Sequence, residues 1–154
     1  MFRKILYCTD FSRASRPAFR HAVALARQSG AKLLITHVVP SVGILDVEAT
    51  WRPEIRAGIE KAMRDSAEKR LATLVTEAWK SHVAVQPLLL SGLADEAMTR
   101  TAKRRRVDLI VIGTHGHSGL ERAMLGGVAS KVVGAAPCPV LTVRSQRRTR
   151  AARR

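Results

Sequence analysis

Hydrophobic residues along this chain follow two alternating periods. Short runs rich in Val, Ile and Leu, such as KLLITHVV at 32–39, are typical of strands that are covered on both faces of a sheet. Between these runs, apolar residues recur every three or four positions, which is the spacing of an amphipathic helix. The pattern predicts strands at 3–9, 32–39, 82–90, 108–113 and 140–143, and helices at 15–30, 53–81, 94–105 and 127–134.

The order of these elements predicts the architecture. Strands that alternate with helices, with crossovers of a dozen residues or more, form a parallel sheet with helices on both faces. We therefore expect an α/β fold, a single doubly wound three-layer sandwich. Ligands of such sheets bind beyond the carboxyl ends of the strands, where the winding direction reverses. Asp10, after strand one, and Gly113, at the end of strand four, lie at that place.

The sequence predicts further features of the first and second helices. Ser15 is placed to cap the first helix, with Pro17 in its first turn and Gly30 at its end. An irregular stretch at 41–52 precedes the second helix and is a candidate lid or rim. The second helix is expected to bury one apolar stripe, consisting of Ile55, Ile59, Met63, Leu71, Leu74 and Ala78.

Length and composition bound the class of protein. With 154 residues and 46% hydrophobic content, the chain has the usual size of one domain. No apolar run approaches the roughly 20 residues that cross a bilayer, and no secretory stretch develops before Asp10. We expect a soluble, cytoplasmic protein without a membrane partner, with one domain over 1–144 and a basic, disordered tail over 145–154. Cys8 and Cys138 form no CxxC pair, and each is expected to be a buried small hydrophobe.

The formal net charge of +15, from 27 basic and 12 acidic residues, favours polyanionic partners. Five arginines lie among the last eight residues, so nucleic acid or an acidic partner bound through this tail is one hypothesis. A second basic run, Lys103 to Arg106, ends the third predicted helix. Cations suit the negative end of a helix dipole, and nucleic-acid contact is the alternative interpretation of this run.

A glycine-rich segment follows the fourth predicted strand and leads into a predicted helix. It runs GTHGHSGLERAMLGGVAS from Gly113 to Ser130. Glycine lets the backbone approach an anion closely, and unpaired N–H groups at a helix start supply positive potential. The segment matches neither the P-loop pattern GxxxxGK[ST] nor GxGxxG after the first strand. It predicts phosphate binding, with turn formation by its glycines as the alternative.

Several segments of the chain resemble one known family, the universal stress proteins. ATP-binding members of that family carry G-x2-G-x9-G-[S/T] at this place, and Gly113, Gly116 and Gly126 match its spacing. The resemblance also includes KILYCTDFS near the start, ITHVVP in the second strand, DLIVIGTHGHSGLERAMLGGVASKVV around the glycines and CPVLTVR at the end. It covers nearly the whole chain.

The resemblance implies an adenine nucleotide alpha hydrolase-like fold, with a five-stranded parallel sheet of order 3-2-1-4-5 and ATP with Mg²⁺ across strands one and four. It implies that Asp10 holds the metal, that Val38 contacts the adenine and that the helix start faces the phosphates. The implied binding set is Thr9, Asp10, Val38, Gly113, Thr114, His115, Gly116, Gly126, Gly127, Val128, Ala129 and Ser130.

One position departs from the family motif. Where the motif has Ser or Thr after its last glycine, this chain has Gly127, and Ala129 also lacks a hydroxyl. Each lost hydroxyl contact to a phosphate weakens binding by about 1 kcal/mol, while the backbone donors remain. Ser130 replaces the missing hydroxyl only if the helix starts in a shifted register.

Other polar residues near the segment have two interpretations each. Asp10 either ligates Mg²⁺ and the ribose or caps its own turn. His115 and His117 have no Cys or carboxylate at zinc-ligand spacing, so they are interpreted as residues of a phosphate loop. Arg122 either reaches a terminal phosphate or lies in solvent.

The function expected from these residues is that of an ATP-binding, dimeric stress-response regulator or switch. The sequence places no nucleophile beside a credible base, so dedicated catalysis is not indicated. Slow Mg²⁺-dependent ATP hydrolysis and a polyanion-binding or nucleic-acid-binding protein remain the alternatives. The last strand is expected at an edge of the sheet, where an apolar edge invites pairing. The resemblance likewise implies a homodimer through Val140–Val143.

Overall fold

The computed structural model describes residues 1–41, 52–114 and 125–145 of the chain. Five strands and four α-helices alternate along this part, and a short 3₁₀ turn, Arg13–Ser15, precedes the first helix. The elements are β1 Lys4–Cys8, α1 Arg16–Ser29, β2 Lys32–Val39, α2 Pro53–Trp79, β3 Val85–Ser91, α3 Ala94–Arg105, β4 Leu109–Gly113, α4 Gly127–Ala135 and β5 Val140–Val143.

The strands form one parallel sheet in the order β3-β2-β1-β4-β5. In the register of the central strand, Lys4 lies opposite Lys32 on one side and Ile5 lies opposite Leu109 on the other. The predicted fold class and strand order are confirmed. Because β1 and β4 are neighbours, Asp10 and Gly113 follow adjacent strands at the carboxyl end of the sheet, where the chain reverses its winding direction.

The two faces of the sheet bury separate hydrophobic layers. One layer packs α1 and α2 against the sheet around Tyr7, Phe19 and Leu71. The other packs α3 and α4 around Ile110 and a set of smaller side chains. Strand residues are buried on both faces, since every residue from Ile5 to Cys8 is inaccessible or nearly so. Each such side chain contributes about 1.5–3 kcal/mol through burial, so the sheet forms a rigid frame between the two ends of the molecule.

The start of the first helix differs from the prediction. Ser15 occupies the position before α1, but its side chain makes no capping bond to the helix. Ser12 caps the 3₁₀ turn instead, accepting a hydrogen bond from the Ser15 amide at 3.2 Å. The extra turn moves the cap upstream and leaves the Ser15 hydroxyl inside the protein. Pro17 in the first turn and Gly30 at the end of α1, with φ of 64°, are as predicted.

The second helix buries less of its apolar stripe than the sequence predicts. Leu71, Leu74 and Ala78 are buried, whereas Ile55 is 44% exposed. The 27 residues of α2 extend about 40 Å, while the eight residues of β2 extend about 27 Å, so the first turns of the helix project beyond the sheet. The prediction for Ile55 was wrong for this reason.

The remaining predictions on the fold have mixed outcomes. Cys8 is buried as predicted, and desolvation raises the pKa of its thiol, while Cys138 is half-buried. The candidate lid at 41–52 and the tail at 145–154 lie outside the described residues except for their border positions. In the described part of the chain, no helix has the length and hydropathy that crossing a membrane requires.

Candidate functional site

A cavity of about 350 Å³ lies at the carboxyl end of the sheet, between the ends of β1, β2 and β4 and the starts of α3 and α4. This volume falls within the range of small-molecule sites. The cavity is lined by Cys8, Thr9, Asp10, Ser15, His37, Val38, Ala94, Met98, Ile112, Gly113, Thr114, Gly126, Gly127, Val128 and Ala129.

The structure brings together nine of the twelve residues in the predicted binding set. They are Thr9, Asp10, Val38, Gly113, Thr114, Gly126, Gly127, Val128 and Ala129. Ser130 is not among the lining residues, and its amide donates to the Gly126 carbonyl at 2.9 Å as the first regular bond of α4. The helix register is therefore not shifted, and a shifted register was the condition for Ser130 to replace the missing hydroxyl. His115 and Gly116 lie outside the described residues, as do His117 and Arg122.

The amino end of α4 presents backbone donors to the cavity. The amides of Gly127, Val128 and Ala129 precede the first intrahelical bond, and they make no hydrogen bond within the described residues. No side chain among the described residues caps this helix. The amide of the preceding residue, Gly126, already donates to the Thr114 carbonyl at 2.7 Å, which fixes the helix start beside β4. Three donors and the positive end of a helix dipole form an anion site on the cavity wall.

Gly127 gives the anion close access to these amides. A Cβ built at this position meets no other atom within 4 Å, so the space in front of the helix start is open. The backbone at Gly127 does not have the positive φ that favours glycine. A side chain at this position would therefore enter the cavity without straining the fold.

A buried hydrogen-bond network holds the connection from β1 to α1. The Thr9 hydroxyl accepts from the Phe11 amide at 2.9 Å and lies 3.1 Å from the Ser15 hydroxyl. The Ser15 hydroxyl donates to the Ser12 carbonyl at 2.8 Å, and the Tyr7 hydroxyl donates to the Ser15 carbonyl at 3.0 Å. Burial raises the pKa of Tyr7, which keeps this donor protonated. The network positions Thr9 and the following residue at the cavity.

An aromatic stack supports the same connection from outside. Phe11 has a left-handed backbone with φ of 62°, and its ring lies 4.3 Å from the His37 ring. The Arg70 guanidinium lies 4.4 Å above the Phe11 ring and donates to the Phe11 carbonyl at 3.1 Å. Nδ1 of His37 lies 2.8 Å from the Thr9 carbonyl, and since a carbonyl can only accept, this nitrogen carries the proton. These contacts offset the strain at Phe11.

Asp10 stands at the mouth of this cavity and of a second one. One of its carboxylate oxygens accepts a hydrogen bond from the Ser12 amide at 2.9 Å. This is the turn-capping role, one of the two interpretations of Asp10 given above. The residue also lines the nucleotide-sized cavity and an open, shallow cavity against α2. Asp10 can therefore cap its own turn and line the cavity at the same time. Within the described part of the chain, no group of three His, Cys, Asp or Glu side chains gathers to hold a metal by protein ligands alone.

Sequence reasoning missed the apolar wall of the cavity. Ala94 and Met98 lie one turn apart at the start of α3, and Ile112 lies on β4. Nothing in their spacing along the sequence distinguishes a cavity wall from a packed interior. His37 was missed because it lies inside a predicted strand, although a polar residue in an otherwise apolar strand was an available signal.

The chain is similar to characterised proteins over nearly its whole length. It is 32% identical to the universal stress protein MJ0531 of Methanocaldococcus jannaschii over 151 residues, covering 96% of this chain and 85% of that protein. The solved structure of the hypothetical protein MJ0577 superposes with a TM-score of 0.84 at 26% identity, covering 96% of this chain and 99% of the other.

Two other structures share the fold and contain nucleotides. The universal stress protein from Archaeoglobus fulgidus in complex with dAMP superposes with a TM-score of 0.69 at 21% identity, covering 92% of this chain and 98% of the other. A family member from Arabidopsis thaliana with AMP bound superposes with a TM-score of 0.65 at 21% identity, covering 94% and 92%. The model of the universal stress protein family matches residues 1–144, and this chain therefore belongs to the universal stress protein family.

Proposed function

We propose that the chain binds ATP with Mg²⁺ in the cavity at the carboxyl end of the sheet and acts as a dimeric stress-response switch. One observation carries the proposal. The three amides at the start of α4, which make no hydrogen bond to the described residues, open into the same cavity as an apolar wall and a carboxylate. A nucleotide offers the matching groups in one molecule, namely phosphates, a flat base and a ribose with hydroxyls.

The walls of the cavity support a proposed place for each part of the nucleotide. Val38, Met98 and Ile112 form an apolar surface suited to the base. The amides of Gly127 to Ala129 bind phosphate oxygens by the same physics as other helix amino ends. Thr9 also lines the cavity, and we place it next to the ribose in this proposal. The predicted roles of His115 and Gly116 at the phosphates remain part of the proposal.

The nucleotide-bound relatives support the class of ligand. The proteins from Archaeoglobus fulgidus and Arabidopsis thaliana that share this fold hold dAMP and AMP. Both ligands combine adenine with one phosphate. A preference for the triphosphate over the monophosphate is a further part of the proposal. It requires space for more than one phosphate at the start of α4.

The residues present fit a magnesium ion that arrives with the nucleotide. Mg²⁺ in nucleotide sites is held by one or two carboxylates together with phosphate oxygens and water, rather than by a full protein cage. Asp10 supplies one carboxylate at the cavity mouth. When bound, the ion would neutralise charge on the phosphates, and Asp10 would orient it.

We propose that this site binds and senses the nucleotide rather than turning it over rapidly. Cys8 is the strongest latent nucleophile in the described cavity wall, and burial raises the pKa of its thiol, which keeps it protonated. The Ser15 hydroxyl donates its hydrogen bond to the Ser12 carbonyl rather than to a side chain that could act as a base. Slow hydrolysis by bound Mg²⁺ stays the alternative activity, and turnover on highly purified wild type and Asp10→Ala protein separates it from a contaminant.

The proposed dimer pairs through β5. This strand lies at the edge of the sheet and is bonded to β4 on its inner side. Val140 and Leu141 are half-buried in the single chain, so a second copy would cover them further. Analytical ultracentrifugation tests this, and Thr142→Pro is expected to release monomers because proline removes a ladder donor. The predicted cytoplasmic location is untested and stays a prediction.

A charge placed at Gly127 tests the nucleotide site. Gly127→Asp puts a carboxylate in the open space before α4, where it favours the helix dipole but repels phosphate. We expect isothermal titration calorimetry to show ATP binding weakened about tenfold or more, with adenosine binding nearly unchanged. Gly127→Asn, which has the same shape without the charge, is the matched control and should bind ATP much more tightly than the Asp variant.

Two results would count against the proposal. The first is an absence of saturable binding of ATP to the wild-type protein at millimolar nucleotide with Mg²⁺. The second is equal weakening of ATP and adenosine in Gly127→Asp, which would place the phosphates elsewhere. Acid release and chromatography of any nucleotide that co-purifies with the protein identifies the natural ligand independently.

A further inference from the structure

The end of the sheet opposite the nucleotide cavity carries a basic surface that the proposed function does not use. Helices α1, α2 and α3 all finish at this end because each one leads into the start of a strand. We define the amino-end surface as Arg3, Lys4, Lys32, Trp79, Lys80 and Arg106. All of them are exposed except Lys4, which is half-buried.

Hydrogen bonds connect, in one row, the elements that carry these residues. The Lys32 amide donates to the Arg3 carbonyl at 2.9 Å, and Nζ of Lys4 donates to the Arg105 carbonyl at 2.9 Å. On the other side, the amide of Leu33 donates to the Ala84 carbonyl at 2.8 Å. The row therefore runs from the end of α2, across the starts of β2 and β1, to the end of α3.

The row has little compensating negative charge. Asp108 is the carboxylate next to it, and one of its oxygens accepts from the Arg3 and Lys4 amides at 2.7 and 2.8 Å. Glu77, near the end of α2, is bonded to Arg16 at 2.9 Å. The negative dipole end of α3 explains Arg106 and also Lys4, whose Nζ bonds the Arg105 carbonyl, but it does not explain Arg3 and Lys32. The excess charge at this end suits a polyanion.

An exposed tryptophan lies within this basic surface. Trp79 is the last residue of α2, and 74% of its surface is exposed to solvent. Among the other exposed large hydrophobics of the described residues, Ile55, Leu93 and Val128 lie at helix starts, whereas Met1 and Val133 lie toward the same end of the sheet as Trp79. A large aromatic ring gains nothing from the core in this position. It offers a flat face for stacking beside a row of cations.

We propose that the amino-end surface binds single-stranded nucleic acid, with phosphates on its cations and a base stacked on Trp79. Proteins that hold single strands combine these two features, a basic track and an aromatic platform. Duplex DNA would leave the indole unused because its bases are already stacked. An anionic membrane fits less well, since membrane-binding helices lie flat with an apolar face, whereas these helices meet the surface end-on.

The test uses the full-length chain and an oligothymidylate of about 15 nucleotides, near the upper size that a single small module covers. Fluorescence anisotropy of the labelled oligonucleotide gives the affinity. We expect Trp79→Ala to weaken binding by about fivefold or more, and Trp79→Phe to restore most of it. Leu93→Ala, which removes an exposed hydrophobe at the other end of the molecule, is the matched control and should have no effect.

The cations are tested by the salt dependence of the same binding. Removing two phosphate contacts with Lys32→Gln and Lys80→Gln should make the slope of log K against log salt shallower by about 1.4. Lys61→Gln with Lys69→Gln removes the same charge from the exposed side of α2 and should leave the slope unchanged. Because every variant keeps the arginine-rich tail, differences between them report on the amino-end surface.

Tryptophan emission provides an independent measurement. The chain has two tryptophans, so Trp51→Phe leaves Trp79 as the reporter, and stacking should quench its emission on titration with oligothymidylate. Unchanged affinity in Trp79→Ala together with an unquenched Trp79 would overturn the proposal. Tight binding of anionic lipid vesicles, with no binding of the oligonucleotide, would also overturn it and assign the surface to a membrane.

Discussion

The two ends of the sheet present opposite chemistry although the same strands build both. At the carboxyl end, α4 begins with three amides that no group in the described part of the chain bonds or caps. At the amino end, helices finish with their carbonyls turned toward the strand starts, and one of these carbonyls, that of Arg105, accepts from Lys4. Chain direction in a parallel sheet fixes which end carries donors and which carries acceptors.

This difference determines how each end recognises an anion. The carboxyl end uses backbone N–H groups, whose positions are fixed by the fold and do not depend on side-chain identity. The amino end has acceptor backbone groups, so only side chains such as Lys32 and Arg106 can supply positive charge there. We therefore expect a geometrically selective site at the first end and a salt-sensitive, sequence-tolerant site at the second.

The largest effect on stability should come from a cavity in the core of the sheet, which both ends share. Ile110 is fully buried in the interior strand β4, and Ile110→Ala should reduce the free energy of unfolding by about 2–5 kcal/mol in urea titrations. Ile55→Ala, at a 44% exposed position of α2, should cost less than about 0.5 kcal/mol. Equal costs at the two positions would contradict the described core.

Substitution of Asp108, at the amino end of the sheet, should cause the next largest loss of stability. Asp108→Ala removes the acceptor of two backbone bonds and should cost about 1–2 kcal/mol of unfolding free energy, after allowance for solvent screening. Asp108→Asn keeps an oxygen acceptor without the charge and should cost about half as much. Chemical denaturation of the three proteins at neutral pH measures the difference.

The pH dependence of the same carboxylate has a definite sign. The Lys4 and Arg3 backbone bonds hold the pKa of Asp108 below its ordinary value of about 3.9. Its stabilisation is therefore complete above about pH 5 and is lost as the pH falls through the folded pKa. The stability gap between wild type and Asp108→Asn should narrow as the solution is acidified, and a gap that widened would contradict this account.

Two glycine substitutions should change the stability of the fold by smaller amounts, one lowering it and the other raising it. Gly30 ends α1 with φ of 64°, so Gly30→Ala should cost about 1 kcal/mol through backbone strain at the amino end. Gly58 lies exposed within α2, and a Cβ there meets no atom within 4 Å. Gly58→Ala should therefore stabilise the protein by about 0.5–1 kcal/mol, as thermal unfolding of both variants will show.

The last expected effect is on ligand affinity at the carboxyl end, and it is of similar size. Gly127→Ser restores the hydroxyl that the family motif has after its last glycine, and the site has space for it. We expect ATP affinity to rise about fivefold, equivalent to about 1 kcal/mol for one added hydrogen bond. Gly127→Ala is the control for the change in helix propensity. If Ala and Ser raised the affinity equally, the hydroxyl would not contact phosphate.

The strands that have strong hydrophobic runs could be predicted closely from the sequence. Lys32–Val39 and Val140–Val143 have the predicted bounds because proline, glycine and charged residues border them. The alternation of elements indicated a parallel sheet, but the order of its five strands came from the family resemblance. The cap of α1 was misplaced because a single 3₁₀ turn shifts the helix start without altering the apolar period.

The candidate site was predictable only where glycine or a strand end signalled it. Gly113 and Asp10 follow strands, and Gly126 and Gly127 stand before a helix, so their positions follow from local pattern. Met98 lies inside a helix, where hydrophobic periodicity describes any buried wall in the same way. The amino-end surface was signalled in part by the run that ends at Arg106, whereas the exposure of Trp79 depends on where α2 passes beyond the core.

A calorimetric titration of the wild-type chain with Mg²⁺ and ATP, in the presence and absence of saturating oligothymidylate, tests the separation of the two ends most directly. The account predicts one ATP per chain, with the same dissociation constant in both titrations, because the nucleotide and the single strand occupy opposite ends of the sheet. Displacement of ATP by the oligonucleotide, or the absence of saturable ATP binding in both titrations, would contradict it.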